Sequence, residues 1–157
     1  MNKLLVIITF IIYPSLVFPQ ATYLHSQLIL TNMLNGTTPP DLRQAVYSVE
    51  NAWHNGNLNK DAFYNQIELY SSFCRGIITS GDIRYEGQGD EQSAKTQCAV
   101  FVFMTDSVPM WTGEQVIWHE PFTYNFDDYT GRKDWGSMFV STLMETGKGN
   151  CHSMPLL

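Results

Sequence analysis

The run CAVFVFM at residues 98–104 divides the sequence into two parts of different character. It is continuously apolar and rich in Val and Phe, which are enriched in β-strands. A short run of this kind is typical of a strand that is buried on both faces. Apolar residues before it recur at helical spacing, whereas aromatic, turn-forming and strand-like segments follow it. The sequence therefore predicts an α+β chain with a helical N-terminal half.

The segment before this run predicts helices over residues 21–84. A hydroxyl cap at Thr38 followed by two prolines and an acid is typical of a helix start, and Asn59 is a second N-cap candidate. Asn55-Gly56 is expected to end the helix between these two caps. Residues 85–97 are polar with two glycines, which predicts an exposed linker.

Residues 98–157 are predicted to form the second region. Glu114 to Trp118 resembles a short strand, and the aromatic-rich segment at residues 119–131 predicts a structured loop. Trp135 to Glu145 has its apolar residues on one helical face. Gly147 is a natural residue to follow the end of that helix.

The first twenty residues have the layout of a secretory signal peptide. Lys3 supplies a positive charge, and the apolar run from Leu4 to Tyr13 is too short to cross a bilayer as a helix. The alternatives are a buried N-terminal helix or a membrane anchor. No later segment is long and apolar enough to span a membrane, so we expect an exported protein that is periplasmic or extracellular.

Composition excludes two further classes of protein. The 157 residues suit one domain, with or without a small appendage, and 15% charged against 13% aromatic residues argues against disorder. Nine Lys and Arg face fifteen Asp and Glu, which gives a net charge of -6 without any basic cluster. A nucleic-acid groove needs concentrated positive charge, so nucleic acid is not an expected partner.

The three cysteines leave two patterns open. In an oxidising compartment Cys74 and Cys98 can pair and leave Cys151 as the odd thiol. Alternatively all three are reduced, with Cys74 and Cys98 buried as small apolar side chains.

The segment Gly147–Pro155 (GKGNCHSMP) carries the clearest chemical pattern. Its two glycines permit a tight turn and Asn150 is a strong N-cap, so Cys151 is expected in the first turn of a new helix. Unpaired amides and the helix dipole favour a thiolate there. The same amides can face a developing oxyanion. The alternative is a C-terminal loop with an incidental cysteine.

Residues 101–155 resemble the transglutaminase-like (papain-like thiol) superfamily, in a form met in secreted bacterial proteins. The segments that carry this resemblance are FMTD (103–106), HEPFTY (119–124), WGSMFV (135–140) and GKGNCHSMP (147–155). In that superfamily a cysteine at a helix N-terminus is the nucleophile, and later strands supply a His and an Asp. The resemblance implies that Cys151 is the nucleophile of acyl transfer or amide hydrolysis on a protein or peptide substrate, without a cofactor or metal.

The sequence departs from this pattern after Cys151, because only six residues follow it. The strands with the His and Asp are missing, which implies a partial domain that is inactive as given. His119, oriented by Asp127 or Asp128, is the remaining candidate base. The alternative function is a secreted, non-enzymatic module whose aromatic segment from Trp111 to Trp135 forms a binding or packing surface.

Overall fold

The computed structural model describes residues 20–81, 83–111 and 113–157. The chain divides into two compact units, one ending at Phe63 and the other beginning at Tyr64. This division precedes the linker that the sequence predicts at residues 85–97. Apart from Gln20, the predicted signal peptide at residues 1–20 lies outside the described residues.

The first unit is helical over its described residues. Helix α1 covers residues 20–34, α2 covers Leu42–Trp53, and α3 (Lys60–Thr79) begins in this unit. Asp41, rather than Thr38, caps α2, because its carboxylate accepts the Gln44 N–H at 2.9 Å. Asn55 and Gly56 have φ values of 53° and 83°, which no helix permits, so the predicted helix end is confirmed.

Contacts between these helices involve both polar and aromatic side chains. The Ser26 and Ser48 hydroxyls lie 3.3 Å apart in a buried position, and the Tyr47 and Phe63 ring centroids are 5.5 Å apart. Asn59 accepts the Ala62 N–H at 3.0 Å, which confirms the cap predicted before α3.

The run at residues 98–104 is helical, so the predicted strand is wrong. It forms the second half of α4 (Glu91–Thr105). The polar segment before it starts the helix, because the Asp90 carboxylate caps the Gln92 N–H and Glu91 pairs with Lys95 at 2.7 Å. Residues 91–97 therefore belong to α4 and not to a linker.

Helical periodicity in this run is hidden by its composition. Ala99 and Phe103, four residues apart, are buried, whereas Phe101 on the opposite side is 65% exposed. A helix that is apolar on all sides gives no periodic signal.

Two strands follow α4 and form an antiparallel hairpin. Strand β1 is Val108–Trp111 and β2 is Val116–His119, with Val108 opposite His119 and Trp111 opposite Val116. The strand predicted at Glu114 to Trp118 is therefore confirmed, although it begins at Val116 and ends at His119. His119 is the last residue of β2 and is buried, which corrects its placement in a loop.

The C-terminal part of the second unit contains short elements. Strands β3 (Thr123–Tyr124) and β4 (Lys148–Gly149) pair in parallel. Between them, a 3-10 helix at Trp135–Met138 and α5 (Val140–Thr146) replace the single predicted helix, since the extended backbone of Phe139 separates the two. Gly147 ends α5 in the left-handed conformation, as predicted, and a second 3-10 helix covers Met154–Leu156.

The core of the second unit consists of Phe73, Phe103, Phe122 and Leu143. Two bonds satisfy carbonyls of the last turn of α4: His119 Nε2, at the end of the hairpin, donates to Phe103 O at 2.7 Å, and Phe122 N–H, which follows the hairpin, donates to Met104 O at 3.0 Å. Helices and short strands together confirm the α+β class. Within the described ranges no helix is long and apolar enough to cross a bilayer.

Candidate functional site

The parallel pairing of β3 with β4 positions the turn that carries Cys151. Thr123 N–H donates to Gly147 O at 2.8 Å, and Asn125 N–H donates to Gly149 O at 2.7 Å. Gly149 is required here because a Cβ would lie 2.9 Å from both Leu143 Cδ1 and Ser153 Oγ. The pairing therefore fixes the backbone immediately before Asn150.

Asn150 is fully buried and organises the turn that follows. Its Oδ1 accepts the N–H groups of His152 at 2.9 Å and Ser153 at 3.1 Å. Its Nδ2 donates to Ser137 O at 3.1 Å, which connects the turn to the 3-10 helix at Trp135–Met138. Asn150 is thus an N-cap, as the sequence predicts.

Ser153, which is also fully buried, completes this arrangement. Its hydroxyl accepts the Asn150 N–H at 3.1 Å, so the two residues bond each other reciprocally. The structure has a hydrogen-bonded turn at residues 151–153 and then the 3-10 helix at Met154–Leu156. The expected α-helix after Asn150 is therefore wrong, and the positioning of Cys151 comes from the buried Asn150 and Ser153 side chains.

Cys151 is exposed and its side chain faces Tyr124 of β3. The Tyr124 and Cys151 side chains interact, and this interaction is the largest cause of a raised Tyr124 pKa. Sequence reasoning did not select Tyr124, since only the parallel pairing of two distant segments places it here.

His119, the predicted base, is part of the aromatic core. Its ring stacks on Phe103 with a centroid distance of 3.9 Å, and it also contacts the rings of Tyr70, Phe73 and Phe122. Since a carbonyl can only accept, the bond to Phe103 O places the proton on Nε2. Burial lowers the His119 pKa, which favours the neutral ring.

The two candidate orienters of His119 have other positions. The Asp128 carboxylate accepts the N–H groups of Lys133 and Asp134, the latter at 2.8 Å. These bonds lower the Asp128 pKa and hold the loop that leads to Trp135. Asp127 is exposed. Asp128 is therefore a loop-stabilising residue rather than a partner of His119.

His152 is exposed and its Nδ1 lies 3.3 Å from Met138 O. Of the two imidazoles described in the second unit, one is therefore held in the core and the other lies against a backbone carbonyl. Neither is hydrogen-bonded to Cys151. The described residues also contain no group of three or more His, Cys, Asp or Glu side chains arranged to hold a metal ion.

All three cysteines are free thiols, as in the reduced alternative, but the burial that this alternative expects for Cys98 is wrong. Cys74 is half-buried, and burial raises its pKa. Cys98 is exposed and lines a groove of about 640 Å³ between α3, α4 and β1. The groove walls are mainly apolar, with Phe73, Ile77 and Met110 among them.

The outward face of the β1–β2 hairpin is a second candidate surface. Side chains alternate between the two faces of a strand. Val108, Met110 and Ile117 pack against the core, whereas Trp111 and Trp118 are 65% and 62% exposed. Of the exposed aromatic side chains between Trp111 and Trp135, these two lie on the hairpin, and Phe126, Tyr129 and Trp135 follow it.

Comparisons with protein-family models, curated proteins and solved structures give no match for this chain.

Proposed function

We propose that Cys151 is the nucleophilic thiol of a transglutaminase-like cysteine enzyme that acts on carboxamide groups of proteins or peptides. The observation that carries this proposal is the exposed Cys151 thiol beside the Tyr124 hydroxyl, on a turn held by the buried Asn150. A rigid backbone under an exposed thiol suits nucleophilic attack, because the attacking atom is positioned before substrate arrives.

The proposed reaction has two steps. The Cys151 thiol loses its proton to solvent water, and the thiolate attacks the carboxamide carbon; a C–S bond forms, the C–N bond breaks, and the amine leaves with a proton taken from water. Water or a second amine then attacks the thioester carbon, the C–S bond breaks, and the leaving thiolate takes up the proton that the attacking group loses. The Tyr124 hydroxyl interacts with the Cys151 side chain and is the proposed hydrogen-bond donor to the attacking sulfur.

Neither imidazole described in the second unit is hydrogen-bonded to Cys151, so neither is positioned as its base. The Tyr124 phenol stays protonated at neutral pH because its pKa is raised, His119 is held in the core, and His152 lies against Met138. A thiol nucleophile needs a positioned base for rapid turnover. We therefore propose that the chain by itself is inactive or nearly so in amide chemistry, as the partial superfamily resemblance implies.

The thiols of the chain provide internal controls for this proposal. We expect iodoacetamide at neutral pH to alkylate Cys151 about tenfold faster than Cys98, and Cys74 most slowly because it is half-buried. Peptide mapping by mass spectrometry measures all three rates in one sample. Tyr124→Phe should reduce the Cys151 rate to that of Cys98, while the Cys98 rate stays constant. Equal rates for Cys151 and Cys98 in the unmodified chain would contradict an activated nucleophile.

The outward face of the hairpin favours a second candidate function, a secreted non-enzymatic binding module. The exposed side chains of this face, Pro109, Trp111, Val116 and Trp118, are all apolar. Contiguous apolar patches on soluble proteins are often interaction sites. Sedimentation velocity over a range of concentrations tests whether the face is free to bind a partner. We expect a monomer; a dimer that the Trp111→Ala and Trp118→Ala double variant abolishes would assign the face to self-association.

A further inference from the structure

The two exposed indoles of the hairpin lie on one face at neighbouring positions. Trp111 is paired with Val116, and Trp118 is two residues further along β2. Diagonal positions of this kind are separated by about 7–8 Å, within reach of aromatic side chains. Pro109, opposite Trp118, and Val116, opposite Trp111, complete an apolar surface that is two residues wide and two residues long.

The area of this surface is small for a protein partner. Two indoles that are about two-thirds exposed, with one Val and one Pro, present roughly 400 Å² of apolar surface. A stable complex between proteins buries about 800 Å² on each partner. The face therefore fits a narrow ligand better than a second copy of this chain.

Charge around the face disfavours anionic ligands. Residues 106–122 contain three exposed acids, Asp106, Glu114 and Glu120, and no Lys or Arg; Arg84, which lines the groove beside Pro109, is one cation against these three carboxylates. Carboxylates accept hydrogen bonds from hydroxyl groups and repel phosphate, sulfate and uronate groups. Glu114 precedes β2 and Glu120 follows it, so an acceptor flanks each end of the strand that carries Trp118.

We propose that the outward face of the β1–β2 hairpin binds a neutral glycan, with pyranose rings stacked on Trp111 and Trp118. This inference rests on the second candidate function, the binding module. Indole faces carry negative charge density that attracts the polarised C–H groups on one side of a sugar ring. Glu114 and Glu120 accept hydrogen bonds from hydroxyl groups at the ring edges.

Isothermal titration with neutral hexasaccharides tests the proposal on the full chain. The probes are β-1,4-linked glucose, mannose, xylose and N-acetylglucosamine oligomers. We expect saturable binding to at least one of them, weakened about tenfold by Trp111→Ala and by Trp118→Ala. Trp135→Ala is the matched control, since Trp135 is 52% exposed and lies outside the hairpin; it should bind as the parent does. Circular dichroism confirms that each variant is folded.

Each other outcome overturns the glycan proposal in a distinguishable way. Binding that survives both hairpin substitutions places the sugar elsewhere. If the chain is a monomer and binds none of the four oligomers, the outward face is free but does not bind a neutral glycan. A chain that instead binds phosphatidylcholine vesicles through Trp111 and Trp118 has a lipid-binding module. If the chain forms a dimer through this face, the face is a self-association surface, and the proposed binding-module function is wrong.

Discussion

The two faces of the β1–β2 hairpin are similar in composition and opposite in environment. The inward face has Val108, Met110, Ile117 and His119, and the outward face has Pro109, Trp111, Val116 and Trp118. The inward side chains are fixed by the aromatic core, including a 3.9 Å stacking contact and a 2.7 Å hydrogen bond at His119. Among the described residues of the second unit, no stacking contact or hydrogen bond of this kind holds the outward side chains. Packing in the core therefore accounts for the apolar side chains of the inward face but not for those of the outward face.

Among substitutions on the two faces, His119→Ala is expected to reduce the free energy of unfolding most. It removes a buried ring that contacts four aromatic neighbours and leaves Phe103 O without its donor. We expect the free energy of unfolding to fall by about 3 kcal/mol. Urea unfolding followed by circular dichroism measures this loss. His119→Phe is the control: it keeps the stacking, loses the hydrogen bond and should cost about 1 kcal/mol.

A smaller loss is expected for Ile117→Ala, measured by the same urea unfolding. Ile117 is half-buried against the core on the same strand as His119. Truncation should cost about 1–2 kcal/mol, because part of the removed side chain is already exposed to water. A loss below about 0.5 kcal/mol would show that the inward face is not packed as the structure has it.

Acidification should weaken the inward face specifically. Burial lowers the pKa of His119 below its ordinary value of 6.5, so the unfolded chain takes up a proton at a higher pH than the folded chain. The stabilisation is therefore complete above pH 6.5 and is lost as pH falls through this value toward the folded pKa. Thermal melts from pH 7.5 to 5 should show this loss, and His119→Phe should remove that component. An unchanged pH profile in His119→Phe would assign the loss to other groups.

The sequence predicts the features of this molecule that depend on local contacts. Asn150 and Asn59 act as caps, and Gly147 ends a helix, because each bonds or turns the backbone within a few residues. Features that depend on distant partners were missed. Burial of His119 requires Tyr70 and Phe73 of α3, and the position of Tyr124 beside Cys151 requires the pairing of β3 with β4.

The predicted strand at residues 98–104 failed for a different physical reason. Its residues are apolar on every side, so their spacing does not distinguish a strand from a helix. The decision comes from the polar residues before it, where Asp90 caps and Glu91 pairs with Lys95. Without this helix start, β-propensity alone favours a strand for the apolar run.

Substitutions on the outward face are expected to change the free energy of unfolding least. This difference distinguishes the outward face most clearly from the inward face. Trp118 is adjacent to Ile117 and is a larger side chain, yet it is 62% exposed. Trp118→Ala and Trp111→Ala should each change the free energy of unfolding by less than about 0.5 kcal/mol, because little buried area is lost. Urea unfolding of these variants beside Ile117→Ala makes the comparison within one hairpin. If Trp118→Ala lowers the free energy of unfolding as much as Ile117→Ala does, the indole stabilises the fold. Its apolar character is then accounted for by packing and no longer supports a ligand-binding role.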